Sequence, residues 1–346
     1  MAPDSKKFLI IKPSSLGDIV LALPALSALR RGFPDSHIAW LIRPEFAALI
    51  DGHPALNQII LFDRKRLAGW WRSRHGSCEL SQLFSELRVP RFDIVLDFQG
   101  LIRTGVFSII TGAKKRIGPA DAREFANLFY THKVPNPPHS RHLVDLYLQM
   151  VAQAGISDLG VEFTFPSNPQ VDASVDKLLI ENNIADKNYA VFVPASAQLD
   201  KCWPSERFAL LAEKLRSDFN LPVIASGTQS EKPLIDKLVS ISKVPIVNFA
   251  GKTTLPQLVS LLSKSRLVVS NDTGPGHIAA ALGIPLVMIF SWSNPARIYP
   301  YNHKERAVGI DLFTRDNKIK SKNPAHYVIN VTFDMVWQKT AAQLTK

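Results

Sequence analysis

The chain has 346 residues, 46% of them apolar, and carries 41 Lys and Arg against 30 Asp and Glu, a formal charge of +11. That length suits two domains with separate cores, and no apolar run nears the ~20 residues of a membrane-spanning helix. The positive excess points to an anionic partner, and without a run of five or six like charges or a nucleic-acid motif it favours an anionic small substrate or lipid surface over nucleic acid. The start, MAPDSKKFLIIK, lacks the apolar stretch of a secretory signal, so the cytoplasm is the expected compartment. Two cysteines, Cys78 and Cys202, give no disulfide scaffold, and without matching His spacing no structural zinc site.

The first element is FLIIK, 8–12, a buried strand. A tight polar loop follows, then a helix marked by Ile19, Leu23, Leu26 and Leu29, with Pro24 expected to kink it. Asp18 stands where loop becomes helix. There it serves either as a helix cap or as a reactive carboxylate at the carboxyl end of a strand, the edge where open α/β sheets bind ligands; this segment alone supports both. HIAWLI (37–42), QIILF (58–62) and FDIVLDF (92–98) read as further strands. Between the last two, DRKRLAGWWRSRHGS (63–77) interleaves five basic residues with Trp70 and Trp71. It fits an anionic glycolipid or headgroup layer, or equally a solvated loop whose tryptophans fold back.

A polar, proline-bearing stretch around 157–172, including GVEFTFPSNPQVD, reads as an inter-domain linker. Strand and helix signals then restart. YAVFVPAS (189–196), PVIASG (222–227), RLVVSN (266–271) and PLVMIF (285–290) are strands. FALLAEKLRSDF (208–219), LPQLVSLLSKS (255–265) and His277–Leu282 are helices, with a last helix expected from about Thr332. Alternation of this kind predicts α/β architecture with parallel sheets: two doubly wound domains in tandem.

Several chemistries drop out. AGKTT (250–254) ends like a phosphate loop, but Ile246 stands where that motif needs its first glycine. Gly274-Pro275-Gly276-His277-Ile278-Ala279 fits a dinucleotide fingerprint, yet the next strand ends without the acidic residue that would hold a ribose. No nucleophile elbow, Asp-x-Asp or metal-spaced cluster occurs. What remains is SNDTGPGHIAAALG, a glycine loop at a helix start, where unpaired N–H groups and the helix dipole favour phosphate. Asp272 there suits sugar hydroxyls or a cap, and His277 a structural hydrogen bond. Lys201, at the mouth of YAVFVPAS, is either a point charge for a diphosphate or a solvated lysine.

KPSSLGDIVLALPAL, DFQGLIRTG, AREFANLFY, DKCWP, GTQSE and SNDTGPGHIAAALG occur in this order between about residues 8 and 300. Together they resemble the ADP-heptose:lipopolysaccharide heptosyltransferases of glycosyltransferase family 9, most of all the heptosyltransferase I branch. The resemblance implies a GT-B fold: two Rossmann-like domains facing across a cleft. It divides the chain into an acceptor-binding domain (1–165), a nucleotide-sugar domain (172–325) and a tail (326–346) returning to the first domain. It implies an inverting, metal-independent transfer of heptose from ADP-heptose to the Kdo region of lipopolysaccharide, with no cofactor, at the cytoplasmic face of the inner membrane. A relative using another nucleotide sugar or a later core acceptor, and a non-catalytic nucleotide-sugar binder, are the alternatives.

Carried over by position, Asp18 matches the general base. Lys201, with Ser196 before it, matches the donor-phosphate site. Glu231 matches a ribose-holding carboxylate and Asp272 a heptose contact. Thr273, Gly274, Gly276 and His277 fall on the diphosphate loop. Arg64, Arg66, Arg123 and Arg141 fall in acceptor-side regions, where they would pair with Kdo carboxylates or lipid phosphates. Two departures touch the donor site: SWSNP (291–295) replaces a Gly-Pro-Thr-Asp-Pro type loop, and Ser196-Ala197 replaces a threonine pair.

Overall fold

The computed structural model describes residues 6–68, 74–315 and 319–345. Its chain divides into two compact units, the first ending at Ser167 and the second beginning at Asn168.

In the first unit β1 (Lys7–Ile11), α1 (Leu16–Gly32), β2 (His37–Ile42), α2 (Pro44–Ala47) and β3 (Gln58–Leu61) come first. Next are α3 (Arg64–Leu67), α4 (Arg74–Arg88), β4 (Ile94–Asp97), α5 (Ile102–Ile110), β5 (Lys115–Pro119), β6 (His132–Val134) and α6 (Leu143–Ala152). The strands pair in parallel in the order β3-β2-β1-β4-β5-β6. The central strands are buried on both faces, as continuous runs such as FLII require of a covered parallel sheet. Leu9, Ile11, Ala39, Leu41 and Val95 pack with Phe107 of α5 and Leu83 and Leu87 of α4. Every residue of α1 from Ile19 to Leu29 is buried, which explains its all-round apolar sequence. The helix runs on through Pro24 as one 17-residue element.

The second unit comprises α7 (Pro169–Glu181), β7 (Ala190–Val193), α8 (Ser205–Phe219), β8 (Val223–Ala225), α9 (Lys232–Ile241) and β9 (Ile246–Asn248). It continues with α10 (Leu255–Ser263), β10 (Leu267–Asn271), α11 (Gly274–Ala281), β11 (Leu286–Ile289), β12 (Ala307–Val308) and α12 (Phe333–Leu344). The parallel order is β12-β11-β10-β7-β8-β9. Read from the other edge, it repeats the order of the first sheet. Both are Rossmann orders, so each unit has a switch point beside its first strand: between β1 and β4, and between β7 and β10.

Two differences from the sequence reading have physical causes. The expected linker 157–172 ends early, because Asn168 accepts from the N–H groups of Gln170 and Val171 and starts α7 at Pro169. The outer strands β5, β6, β9 and β12 escaped notice because they are short and mostly lack continuous apolar runs. The tail packs on the core of the second unit. Val331 and Val336 join the second unit's core, Trp203 Nε1 donates to Val331 O (2.8 Å), and Arg207 Nη1 donates to the carbonyls of Ile329 and Val331 (2.7 Å each).

Candidate active site

Each switch point carries a cluster of polar side chains on otherwise apolar strands. At the first, the chain leaves β1 through Lys12-Pro13-Ser14-Ser15 and enters α1, with Ser15 at the N-cap and Asp18 three residues on. Asp18 Oδ2 accepts from Ser15 N (3.2 Å) and Ser15 Oγ (3.2 Å), so the carboxylate does fasten the helix start. It also lies 3.4 Å from Nζ of Lys12. The Asp18 side chain is 30% exposed and that of Lys12 only 4%. Lys12 reaches Phe98 O (3.4 Å) and sits over the Tyr147 ring. Burial opposes its charge, but the Asp18 carboxylate and Tyr147 outweigh burial and raise the ammonium's pKa. Asp18 therefore stands beside a fixed, buried positive charge. Lys12 was not singled out in the sequence; a lysine ending a buried strand was the available signal.

The neighbouring strand β4 ends in Asp97, which is fully buried. Its Oδ1 accepts from the N–H groups of Gln99 (2.9 Å) and Gly100 (3.1 Å), and its Oδ2 from the Tyr130 hydroxyl (2.7 Å). Burial raises the Asp97 carboxyl above the usual range, against these hydrogen bonds, which favour the ionised form. Asp97 holds the DFQG turn, and Gln99 Oε1 in turn accepts from Ser14 N (3.4 Å). A buried carboxylate thus braces the Asp18 loop from the adjacent strand.

At the second switch point, β10 delivers Asn271 and Asp272, and β7 leads to the loop bearing Lys201. Asn271 is buried; its Oδ1 accepts from Trp203 N (3.0 Å) and its Nδ2 donates to Pro194 O (2.8 Å), clamping both ends of the Lys201 loop. Lys201 Nζ then meets Asp272 Oδ2 at 3.1 Å. The same oxygen accepts from Ser293 Oγ (2.5 Å), and Asp272 Oδ1 lies 3.6 Å from His277 Nε2. Burial works against the Asp272 charge, but His277, Lys201 and Ser293 together hold its carboxyl far below the usual range. Lys201 also lies over the indole of Trp292 (4.4 Å), whose Nε1 donates to Asp200 Oδ2 (2.9 Å).

SWSNP therefore takes part in the site, Trp292 facing Lys201 and Ser293 bonding Asp272. Neither residue was singled out individually in the sequence, nor were Asn271 and Asp200. A lysine has three donors, and only one is needed for Asp272.

Thr273 caps α11, and Gly274 and Gly276 occupy its first turn, where N–H groups lack partners within the helix. A side chain at Gly276 would stand 2.9 Å from both Met288 Cε and Ser270 Oγ, so glycine lets α11 lie close to the sheet without displacing them. His277, on the same turn, is buried, and its Nδ1 has no hydrogen-bond partner.

A depressed carboxyl pKa makes Asp272 a source of stability above its unfolded value of 3.8, lost as pH falls through the lower folded value. Asp272→Asn should then cost roughly 3 kcal/mol at neutral pH by stranding buried partners, or about 6–12 °C in melting temperature for a domain of this size. The gap to wild type should close below pH 3.8 in thermal melts run from neutral to acid. A gap independent of pH would refute this.

The family model for glycosyltransferase family 9 (heptosyltransferase) matches residues 80–327, well over half of the chain. The chain belongs to glycosyltransferase family 9. Among relatives, the lipopolysaccharide core heptosyltransferase OpsX of Haemophilus influenzae is 27% identical, covering 88% of this chain and 84% of its own. Lipopolysaccharide heptosyltransferase 1 of Escherichia coli K12 is 26% identical, covering 97% and 99%. The crystal structure of a family 9 glycosyltransferase from Veillonella parvula superposes with a TM-score of 0.82 at 22% identity, covering 100% of this chain and 99% of that one. The E. coli heptosyltransferase WaaC with ADP-2-deoxy-2-fluoro heptose gives 0.73 at 24%, covering 96% and 98%. These likenesses assign the two Rossmann-like units to the GT-B fold and make this a glycosyltransferase of the heptosyltransferase family.

The remaining positions carried over from family 9 are more dispersed. Ser196 is half-buried beyond β7. Glu231 Oε2 accepts from Thr228 N (2.7 Å), closing the GTQSE turn ahead of α9. Arg64 and Arg66 lie on the single turn α3, exposed, with Arg66 paired to Glu79 and 3.1 Å from His75 Nε2. Arg123 and Arg141 are also exposed. Trp70, Trp71 and Arg72 lie outside the described residues. Among the described residues, no group of three or more His, Cys, Asp or Glu is placed to hold a metal ion.

Proposed function

We propose that this protein transfers L-glycero-D-manno-heptose from ADP-heptose to the Kdo-containing inner core of lipopolysaccharide, inverting the anomeric centre. Asp18 takes the proton of the attacking hydroxyl as its oxygen reaches the anomeric carbon. Lys201 and the amides of residues 273–277 stabilise the departing ADP, with Ser196 beside the phosphates and Glu231 at the ribose. Asp272 keeps Lys201 in place, and in this reading its neighbourhood also receives the heptose. Arg64, Arg66, Arg123 and Arg141 supply positive charge for an anionic acceptor. The enzyme works without a cofactor, at the cytoplasmic face of the inner membrane as a peripheral protein.

The observation that supports this reading is the second switch point, where a positioned lysine and the start of α11 offer a cation and amides of the kind a diphosphate would need. Relatives named heptosyltransferase 1, heptosyltransferase 3 and OpsX all support heptosyl transfer in the lipopolysaccharide core. A later core acceptor or another nucleotide sugar is the second reading, favoured by the Trp292-Ser293 loop at the donor residues.

The test is incubation with ADP-heptose and a Kdo–lipid acceptor in the presence of a chelator. A product heavier by one heptose is expected. Transfer only to a heptosylated acceptor, or only from another nucleotide sugar, would support the second reading. ADP-heptose binding with no transfer to any acceptor would overturn both.

A further inference from the structure

The first unit exposes an apolar face beside Arg123, one of the acceptor-side positions. Ile102, Val106 and Ile109 follow one another at helical spacing along α5, and all three are exposed. Beside them runs the 3-10 turn Ala126–Phe129, where Phe125 and Leu128 are 77% and 72% exposed. The two segments are packed together. Gly105 makes this possible, since a side chain there would lie 2.6 Å from the Phe129 ring. Glu124 and Phe125 both have positive φ (54° and 60°), a conformation that costs non-glycine residues energy. A loop held in that form to present a phenylalanine to water is not serving the core.

The surrounding charge is basic. Arg103, on α5, Lys114, just after it, and Arg123, just before Phe125, are exposed. Two exposed acids share the stretch, Glu124 accepting from Ile102 N (3.2 Å) and Asp121 from Asn136 Nδ2 (2.8 Å), and leave the basic residues in excess by one. Apolar side chains rimmed by cations match a bilayer bearing anionic headgroups, which buries the first and attracts the second. Among the described residues, no helix is long and apolar enough to cross a membrane. The face also begins at the turn that braces the loop of the candidate base. α5 follows directly on the DFQG turn that braces Ser14, and Arg123 N donates to Gly100 O (3.0 Å).

We propose that α5 and residues 123–129 form the surface by which this protein docks on an anionic membrane, at the strand ends that carry Asp18. The proposal rests on the reading that the acceptor is lipid-linked.

Flotation of the full chain with vesicles tests it. Wild type should float with phosphatidylcholine–phosphatidylglycerol vesicles, less with phosphatidylcholine alone, and less at raised salt. Phe125→Ser/Leu128→Ser and, independently, Val106→Ser/Ile109→Ser should each lose on the order of tenfold or more in partitioning, with circular-dichroism melts close to wild type. A wild type that does not float, or variants that float equally well, would overturn the proposal. So would a wild-type dimer that these substitutions make monomeric, because a second copy would then cover the face. Transfer to a deacylated, water-soluble Kdo acceptor tests the activity alone. Its failure with flotation intact would sink the acceptor reading and leave the docking surface standing.

Discussion

Asp18→Asn should bind ADP as the wild type does and turn over at least about 10²-fold more slowly. The substitution separates the cap role of this carboxylate from its proposed role as base. As part of the cap, Asp18 accepts from Ser15 N and Oγ through Oδ2. An asparagine side-chain oxygen can accept the same bonds, so the start of α1 should survive. As a base, Asp18 must take a proton, which an amide does not do at neutral pH. The variant also leaves Lys12 without its ion pair in a buried setting. A modest loss of thermal stability should therefore accompany the loss of turnover. Single-turnover rates measured beside calorimetric ADP affinity decide the matter. Turnover near wild type would end the base assignment and leave Asp18 as a cap.

Lys201→Ala should weaken ADP binding by roughly 10- to 100-fold, the usual worth of a hydrogen bond to a charged group, while adenosine binds as before. The contrast between ADP and adenosine matters because Lys201 is also structural. Its Nζ lies 3.1 Å from Asp272, a buried carboxylate, and its removal strips that carboxylate of its nearest cation. A general collapse of the site would reduce affinity for both ligands. A specific loss of the phosphate contact reduces only the first. Equal ADP affinity in variant and wild type would refute the phosphate role, whatever the melting temperature does.

The strand–helix alternation and the central strands were legible because parallel strands covered on both faces must be continuous apolar runs. FLII, HIAWLI, AVFV and LVMI are such runs, and all are strands. The outer strands were not legible. HKV and IVN are three residues each, carry polar or half-exposed positions, and are strands only because a neighbour supplies the ladder. The contacts of the tail were also hidden. The carbonyl of Val331 is held by the Trp203 indole and the Arg207 guanidinium, 128 and 124 residues distant in sequence.

The site divides in the same way. Asp18, Lys201, Asp272 and the glycines of α11 could be found because each sits at a strand-to-helix junction with a recognisable local pattern. Lys12, Asp97, Asn271, Trp292 and Ser293 could not be assigned, because their roles exist only between elements. Asp97 braces the Asp18 loop through Gln99 of its own turn and is itself held by the Tyr130 hydroxyl from the segment before β6. Ser293 reaches Asp272 from the loop after β11. By itself the sequence determined the fold class and the two-unit organisation and pointed to the loops proposed to carry chemistry, since burial pattern, turn chemistry and helix starts are local properties of the chain. Tertiary structure alone decided the charge state and orientation of those groups. A carboxylate such as Asp272 is held ionised in the interior by a lysine 71 residues away and a serine 21 residues on, and no local pattern records that pairing.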